Sequence, residues 1–323
     1  MKVSIIIPVK EINHYIRESI PYLLNLNYDD YEILILPDFY KEKMIFLNSE
    51  KIKVIESGRT GPAEKRDLGA KEAEGKILAF IDDDAYPKKD WLRKVVRNFK
   101  ANIVAVGGPA ITPLNDSLRQ KASGIVFETL TGGGGMDYRY KPKKRRFVDD
   151  FPTVNFSVLK KVFLEIGGFD SNYWPGEDTE FCLKLINKGY RIIYDPQAVV
   201  YHHRRELFKE HLKQISQYGK HRGRFARTLP DTSFRLTYLM PSLFVLFLII
   251  GFIISFFSQI FLTIFLLLIA TYFVIITFDV AIRVNNINIL VLAVLGVFLT
   301  HIFYGVNFLY GFMSGKSFKS RLK

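Results

Sequence analysis

The sequence predicts an α/β domain with a mostly parallel sheet flanked by helices, followed by transmembrane helices. Two observations lead to this fold class. Short β-branched runs alternate with helical patterns over residues 1–205, which is the arrangement of βαβ units. Hydrophobic residues make up 49% of the chain, but they are concentrated in residues 239–313, which are almost entirely apolar. The first part is therefore expected to fold in water and the second in a bilayer.

The predicted strands are short apolar runs, several of them bounded by proline or glycine. Residues 3–7 are β-branched and end at Pro8, a composition typical of a central parallel strand. Residues 77–81 are apolar and lie between Gly75 and Pro87, which indicates a second buried strand. Together the predicted strands are residues 3–7, 31–36, 53–56, 77–81, 103–106, 192–194 and 198–201.

Helical patterns lie between these strands. Apolar residues recur at helical spacing over residues 12–24. Residues 62–75 fit a helix, because Pro62 suits a first turn and Gly75 suits a helix end. Further helices are predicted at residues 91–99, 179–188 and 206–229.

Residues 112–150 are expected to be irregular. They contain four consecutive glycines at 132–135, which favour a flexible loop, and a basic run at 139–146. A mobile lid over an anionic substrate and an unstructured surface insert explain this composition equally well.

Three consecutive aspartates, Asp82, Asp83 and Asp84, follow the predicted strand at residues 77–81. Ligands in open α/β sheets collect at the carboxyl ends of strands. Neighbouring carboxylates oppose each other's ionisation, and a divalent cation such as Mg²⁺ or Mn²⁺ relieves that repulsion. For an isolated pair of aspartates, a solvated acidic turn is an equally good explanation.

Charged pairs begin two of the predicted helices. Lys65 and Arg66 lie one turn into the helix that starts at Pro62, where cations and the helix N-terminus favour a diphosphate. Taken alone, this segment favours a solvated surface helix, whereas its position directly before the aspartate strand favours the diphosphate role. Glu177 and Asp178 precede the helix at residues 179–188, where the helix dipole stabilises acids, so capping is the alternative to a catalytic role.

Two adjacent histidines, His202 and His203, follow the last predicted strand. Adjacent side chains on a strand point to opposite faces, so at most one of them is expected in a site. A structural or solvated role is the commoner alternative for such a pair.

The net charge of +13 indicates an anionic partner, either nucleic acid or lipid. Many basic residues lie in residues 204–235, directly before the apolar part, and at the C-terminus, which favours membrane lipids over nucleic acid. Residues 206–229 carry an apolar stripe beside these charges and predict an interfacial amphipathic helix. The single cysteine, Cys182, excludes a disulfide within the chain. The short apolar run at the start does not fit a secretory signal, so the first domain is expected in the cytoplasm.

Three apolar segments predict about three membrane helices at residues 239–257, 260–278 and 289–313. The first two are expected to form a tight antiparallel hairpin, because only Ser258 and Gln259 separate them. Three spans would put the C-terminus outside the cell, whereas its basic residues favour the cytoplasm. Either the third segment is re-entrant or interfacial, or the long first domain overrides this charge bias.

Three stretches in this order carry a family resemblance: VSIIIPVK, GPAEKRDLGAKEAEGKILAFIDDDAYP and IGGFDSNYWPGEDTEFCLKLINKGYRIIYDPQAVVYHHRR. They resemble the family-2 glycosyltransferases, which have the nucleotide-binding GT-A fold with a Rossmann-like sheet. The resemblance covers about residues 1–225 and the membrane tail that many bacterial and archaeal members carry. It implies a nucleotide-diphosphate sugar donor and a Mg²⁺ or Mn²⁺ cofactor.

The resemblance implies a nucleotide-sugar site at matching positions. Pro8 and Val9 lie where the first strand of the family meets the base, and Asp38 takes the place of the acid that contacts the base or ribose. Arg66, with Lys65 beside it, matches the basic position that faces the diphosphate.

The second matching stretch implies a metal site. Asp82 and Asp84 match the DxD motif, with Asp84 as the direct metal ligand and Asp82 near the ribose as well as the metal. Asp83 lies between them on the donor side, and His202 matches a late histidine that completes the metal shell in some GT-A enzymes.

The third stretch implies an acceptor site. Glu177 and Asp178 match an acidic pair whose aspartate takes a proton from the acceptor hydroxyl in an inverting single displacement. A lipid phosphate acceptor is already anionic and needs no base, in which case the pair would bind or orient the acceptor instead.

The expected protein is therefore a metal-dependent, membrane-anchored inverting glycosyltransferase with a lipid-linked acceptor, either a polyprenyl phosphate or a lipid-linked glycan. A multi-pass cell-membrane location is expected, with the catalytic domain in the cytoplasm. Its expected parts are a catalytic domain (1–205), an interfacial region (206–235), a membrane region (239–313) and a basic tail (314–323). The alternative is a non-catalytic, membrane-anchored nucleotide-sugar binder. A transporter is disfavoured, because the spans lack charged residues and the chain lacks a repeat.

Overall fold

The computed structural model describes residues 1–40 and 44–314. Of the basic tail expected at residues 314–323, everything beyond Ser314 lies outside the described residues.

The chain divides into two compact units. The first, called the sheet unit below, consists of Met1–Ile111 and Lys141–His203. The second, the helical unit, consists of Thr112–Tyr140 and residues 204–314 of the described chain. The sequence analysis expected one domain at residues 1–205, whereas the middle segment belongs by its contacts to the helical unit.

All strands of the described residues lie in the sheet unit, in one sheet of eight strands and one of three. The larger sheet has the order β3-β2-β1-β4-β9-β6-β10-β8, and the smaller has the order β5-β11-β7. The bounds are β1 (Val3–Pro8), β2 (Tyr31–Leu36), β3 (Ile52–Val54), β4 (Ile77–Ile81), β5 (Ala85–Pro87), β6 (Ile103–Gly107), β7 (Ala110–Ile111), β8 (Arg146–Val148), β9 (Asn155–Leu159), β10 (Arg191–Tyr194) and β11 (Val200–His202).

The centre of the larger sheet is parallel and buried. β1 pairs with β2 on one side and β4 on the other, so that Val3 lies opposite both Tyr31 and Ile77. Every residue of β1 and β4 is buried, as the apolar runs predicted. The expected mostly parallel sheet is confirmed, and the carboxyl ends of these three strands lie at one edge.

One central strand was not predicted. β9 runs antiparallel between β4 and β6. It places the polar side chains of Asn155 and Ser157 in the interior, where both are buried. Because a buried strand is recognised by its apolar run, these polar residues conceal it. The short strands β5, β7 and β8 were also missed.

The helices surround the sheet in the first unit and form the second. In the sheet unit they are α1 (His14–Leu24), α2 (Pro62–Glu72), α3 (Trp91–Val96), α6 (Lys160–Ile166) and α7 (Glu177–Asn187). In the helical unit they are α4 (Leu118–Glu128), α5 (Leu130–Gly133), α8 (Lys209–Thr228), α9 (Pro230–Ser233), α10 (Leu236–Ser255), α11 (Gln259–Ala281) and α12 (Ile287–Ser314).

The expectation that residues 112–150 are irregular was wrong. Ser117 begins α4 with a capping box, in which its hydroxyl accepts from the backbone of Gln120 and the Gln120 side chain accepts in return. The first two of the four glycines lie in α5, and only Gly134 and Gly135 have positive φ. The unstructured insert is therefore wrong, whereas the lid over an anionic substrate stays a prediction.

The apolar segments form helices close to their predicted bounds. α10, α11 and α12 are each long and apolar enough to cross a membrane. The predicted basic helix is α8, and the expected hairpin of the first two membrane helices is confirmed by ring stacking of Phe244 on Tyr272.

Asn155 ties three segments of the sheet unit together. Its side chain, 1% exposed, accepts from Trp91 Nε1 at 2.9 Å and donates to the carbonyl oxygens of Pro109 and Ala198.

We expect Asn155→Leu to lower the free energy of unfolding by about 3 kcal/mol or more, because three buried polar groups lose a partner at about 1–3 kcal/mol each. Thermal unfolding of detergent-solubilised protein, followed by tryptophan fluorescence, measures the loss. The same change at the exposed Asn172 should have little effect, and an unchanged midpoint for Asn155→Leu would contradict the argument.

Candidate active site

The candidate site lies where the central parallel strands end. Pro8 at the end of β1 pairs with Leu36 at the end of β2, and β4 ends beside them at Ile81. Parallel strands present their carboxyl ends at one edge, and ligands of open α/β sheets bind there. The predicted site residues of the sheet unit fall into three groups of contacts.

The first group joins Val9, Asp38 and Lys65. The Lys65 ammonium donates to the carbonyl oxygen of Val9 at 2.5 Å and forms an ion pair with Asp38. Its side chain is only 4% exposed, so the alternative of a solvated surface helix does not hold for this residue. Lys65 thus fixes the ends of β1 and β2 to α2.

The second group is centred on Arg66. Its Nη1 donates to Glu177 Oε1 at 2.9 Å, and its Nη2 donates to Asp82 Oδ1 at 2.8 Å. The side chains of Arg66 and Glu177 are each 5% exposed. Arg66 Nε is buried and has no hydrogen-bond partner among the described residues. The guanidinium therefore links the strand end that carries the aspartates to the start of α7.

The third group brings Asp84 and His202 together. The small sheet makes this contact, because β11 pairs antiparallel with β5 and sets His202 opposite Ala85. His202 Nε2 lies 3.0 Å from Asp84 Oδ1. Ligand atoms of Asp82, Asp84 and His202 all lie within 4.8 Å of one another, and each residue is partly buried.

Asp83 bonds to the start of α1 and is not a member of the cluster of Asp82, Asp84 and His202, called the metal-ligand group below. Its Oδ2 accepts from Asn13 Nδ2 at 2.6 Å, while Asn13 Oδ1 accepts from Ile16 N and caps α1. Burial, reinforced by the charge of Asp84, raises the pKa of Asp83 to about 6, and the Asn13 bond opposes that rise. The contact with α1 was missed, although an asparagine before a helical pattern is a recognisable N-cap signal.

The acidic pair begins α7. Glu177 Oε2 accepts from Gly176 N at 2.9 Å, and Asp178 Oδ1 accepts from Thr179 N at 2.8 Å. Thr179 Oγ1 in turn donates to Asp150, a buried carboxylate that sequence analysis did not single out. Asp178 is only partly buried, so it is the more accessible acid of the pair.

The two histidines separate as predicted. His203 stacks on Tyr15 at 4.9 Å between ring centroids and lies 3.3 Å from Glu18, whereas His202 meets Asp84. Only His202 among them can serve the metal-ligand group.

These groups bring two carboxylates, one imidazole and a second pair of acids to one edge of the sheet. Mg²⁺ and Mn²⁺ prefer oxygen ligands, and imidazole is acceptable to transition metals. A divalent cation therefore fits Asp82, Asp84 and His202.

Comparisons with known proteins are consistent with this arrangement. The family model described as glycosyl transferase family 2 matches residues 4–163. A Methanococcus voltae protein named dolichyl N-acetyl-alpha-D-glucosaminyl phosphate 3-beta-D-2,3-diacetamido-2,3-dideoxy-beta-D-glucuronosyltransferase is 26% identical over 269 residues, which cover 78% of this chain and 81% of that protein. The glucosyl-dolichyl phosphate glucuronosyltransferase of Haloferax volcanii is 27% identical over 62% of this chain and 69% of its own length. The pre-mycofactocin glycosyltransferase of Mycobacterium tuberculosis is 28% identical, but the match spans only 36% of that protein.

Two solved structures share the fold at low sequence identity. The mannosyltransferase PcManGT from Pyrobaculum calidifontis, in complex with GDP-Man and Mn²⁺, gives a TM-score of 0.52 at 18% identity, covering 71% of this chain and 64% of its own. GalNAc-T7 with UDP, GalNAc and Mn²⁺ gives 0.50 at 15% identity, covering 73% of this chain and 52% of its own.

The buried carboxyl of Asp67, the neighbour of Arg66, should make stability depend on pH. Its Oδ1 accepts from Phe169 N at 3.0 Å, and burial raises its pKa to about 6 despite that bond. The folded state then holds the Asp67 proton more tightly than the unfolded chain does, so the contribution of Asp67 to stability falls as pH rises from about 4 to about 6. We expect Asp67→Asn, which keeps the accepting oxygen, to be more stable than the parent at pH 8 and similar to it at pH 4.

Unfolding midpoints of both proteins between pH 4 and pH 8 test this expectation. The difference between the two proteins isolates Asp67, because the raised pKa of Asp83 and the lowered pKa values of His211 and His221 act on both proteins alike. A variant that is less stable than the parent at pH 8 would show that ionised Asp67 is stabilising.

Proposed function

We propose that this chain, which belongs to glycosyl transferase family 2 and has the expected GT-A fold, transfers a sugar from a nucleotide-diphosphate sugar to a lipid-linked acceptor. The observation that carries the proposal is the meeting of Asp82, Asp84 and His202 at the carboxyl end of β4. These residues are joined through Arg66 to the acidic pair on α7. Donor and acceptor groups thus share one edge of the sheet.

Asp84, Asp82 and His202 would hold a divalent cation. We favour Mn²⁺ over Mg²⁺, because an imidazole nitrogen is a better ligand for a transition metal than for magnesium. When bound, the cation supplies charge stabilisation to the departing diphosphate.

The first contact group supports binding of the nucleoside. Lys65 fixes Val9 and Asp38 at adjacent strand ends, where the base and ribose are expected. Pro8 sets the end of β1 beside them, and Asp83 supports the same edge through α1. An acid held by a buried lysine is pre-oriented, which lowers the entropy cost of binding.

Arg66 is proposed to bind the diphosphate of the donor while it orients Asp82 and Glu177. Each Nη donates one N–H to a carboxylate, and the buried Nε has no partner among the described residues, so donors remain for a diphosphate oxygen. A guanidinium offers five donors in a fixed plane, so it can orient two acids and still receive a third acceptor.

Asp178 is the proposed general base. The acceptor oxygen forms a bond to the anomeric carbon while the bond from that carbon to the diphosphate oxygen breaks. The electrons of the broken bond remain on the diphosphate, and the hydroxyl proton passes to Asp178. Attack opposite the leaving group inverts the anomeric configuration. Glu177, held by Arg66, keeps the start of α7 in place.

The names of two relatives favour an acceptor that already carries a sugar. Both are named for a dolichyl phosphate bearing a sugar, onto which a further residue is transferred. Such an acceptor presents a hydroxyl, which requires a base, rather than a bare phosphate. Membrane helices suit a lipid-linked acceptor, and the basic residues before α10 support a cell-membrane location with the sheet unit on the cytoplasmic side.

Donor binding tests the metal-ligand group. We expect Asp84→Ala to abolish the Mn²⁺-dependent part of nucleotide-diphosphate sugar binding, because a carboxylate ligand is lost and His202 alone remains beside Asp82. Isothermal titration with and without Mn²⁺ measures this, and Asp30→Ala on the exposed surface is the matched control. Equal Mn²⁺ enhancement in Asp84→Ala and the parent would refute the assignment.

The acceptor decides what Asp178 does. Asp178→Asn keeps an oxygen for Thr179 N but removes the base, so we expect transfer to a lipid-linked sugar to fall by about 10²–10⁴-fold. Transfer to a polyprenyl phosphate, whose oxygen is already anionic, should only weaken. Initial rates on both acceptors with one donor compare these cases, and equal losses on the two acceptors would exclude a base role.

A further inference from the structure

The helical unit contains an antiparallel hairpin suited to cross a bilayer. α10 and α11 pack with Phe244 stacked on Tyr272, ring centroids 4.4 Å apart, and a Cβ on Gly251 would lie 2.6 Å from the ring of Phe265. The hairpin is closed at residues 256–258 and open where α10 begins and α11 ends. No charged residue occurs from 236 to 278, so both helices can lie in hydrocarbon.

α12 starts at the open end of this hairpin, because only residues 282–286 connect it to α11. A third span would advance toward the closed end by about 1.5 Å per residue. Gly305 would then lie about 27 Å from the open end, level with the last turns of α10.

The contacts of Gly305 contradict that geometry. Ser242 Oγ donates to the carbonyl oxygen of Gly305 at 3.1 Å, and a Cβ on Gly305 would lie 2.4 Å from the carbonyl oxygen of Pro241. These two α10 residues lie only about 8–9 Å from the open end. By Gly305, α12 has therefore passed sideways across the hairpin rather than along it.

Thr131 on α5 gives an independent measure of depth. Its N and Oγ1 donate to Asp279 Oδ2 at 2.8 and 2.7 Å, near the end of α11. Its carbonyl oxygen accepts from His301 Nε2 at 3.0 Å, in the middle of α12. If α12 spanned the membrane, Asp279 would lie about 3 Å from the open end of the hairpin and His301 about 21 Å from it. The two side chains would then differ in depth by almost 20 Å. One residue contacts both, so their depths differ by far less than that. His301 Nδ1 also lies 2.9 Å from Tyr272 Oη, a residue only about 14 Å from the open end.

The second half of α12 packs along the basic helix α8. A Cβ on Gly219 would lie 2.6 Å from the carbonyl oxygen of Tyr304, and one on Gly223 would lie 2.0 Å from that of Phe308. The two pairs advance together, so the helices run side by side in the same direction at backbone contact. α8 carries the basic residues Lys209, Lys213, Lys220, Arg222, Arg224 and Arg227. Such charges favour water or lipid headgroups over a bilayer core.

The exposed face of α12 is apolar. Its exposed large side chains recur every three or four residues, apart from one wider gap, and mark one side of the helix. They are Ile287, Val291, Leu295, Phe303, Val306, Tyr310 and Met313. A helix covered by protein on its other sides and apolar along one stripe is suited to lie at a membrane surface.

We infer that α12 does not cross the membrane but lies in the interface across the open end of a two-span hairpin. Its apolar stripe contacts acyl chains, and the basic residues of α8 beside it contact the phosphates of lipid headgroups. Both ends of α12 are then on the side of the membrane where α10 begins. This arrangement removes the conflict between three spans and the basic residues that follow α12 in the sequence.

Cysteine accessibility tests the inference in the full-length protein. In a Cys182→Ser background, single cysteines replace Gln259 at the closed end, Asn285 between α11 and α12, and Ser314 at the end of α12. A membrane-impermeant maleimide is applied to right-side-out and to inverted vesicles. We expect Ser314→Cys to react from the same side as Asn285→Cys, and Gln259→Cys to react from the opposite side.

If the maleimide labels Ser314→Cys from the same side as Gln259→Cys, the inference is overturned and α12 is a third span. Met313→Cys, at a side chain that is 72% exposed, repeats the measurement if the Ser314 variant is poorly produced. Lys213→Cys reports the side of the membrane on which α8 lies. We expect the maleimide to label it from the same side as Asn285→Cys. If Lys213→Cys reacts from the side of Gln259→Cys instead, α8 does not share an interface with the open end and the inference is also overturned.

Discussion

The double ion pair of Arg66 is the interaction on which the candidate site depends. The guanidinium is buried between Glu177 and Asp82 and draws on α2, α7 and the end of β4. Removing one partner of such a buried pair leaves an uncompensated charge, which typically costs about 3–5 kcal/mol. Two acids from distant parts of the chain would also repel each other without the cation between them. Arg66 therefore holds together groups whose charges would otherwise separate them.

Local patterns were sufficient to predict the parts of the site that sit on one strand or helix. The apolar run before Asp82 predicted a buried strand with carboxylates at its end, and β4 has that form. Pro62 marked the start of α2 correctly, because its ring geometry is a property of the residue alone. The helix predicted to follow the acidic pair, at residues 179–188, is present as α7 but begins two residues earlier, so that the acids lie in its first turn.

Contacts between distant residues were beyond such patterns. Arg66 meets Glu177, and Asp84 meets His202, only because strand pairing brings them together, and no periodicity records this pairing. The strand β9 was not predicted, because the polar residues Asn155 and Ser157 break the apolar run by which a buried strand is recognised. They are buried through hydrogen bonding and packing within the sheet rather than through hydrophobicity. The resemblance to a known family, not composition, placed the late histidine near the aspartates.

The segment between β7 and β8 shows a different limit of local reasoning. Glycines suggested irregular structure, yet α4 and α5 pack in the helical unit, where Ala122 and Val126 join a buried cluster with Ile276 and Val297. Ser123 and Thr300 both bond to His211, whose pKa is lowered to about 4 by burial, so this histidine stays neutral at physiological pH. A helix-forming sequence flanked by strands was assigned to a loop because its packing partners lie far later in the chain, from Leu207 to Val297.

The pairing of β11 with β5 also sets an order of events during synthesis. Every strand of the sheet unit, including the one that carries His202, is synthesised before the first residue of α10. Asp82, Asp84 and His202 are therefore all present in the nascent chain before its first apolar helix. A chain that ends before α10 retains these three side chains together with the strands that bring them into contact.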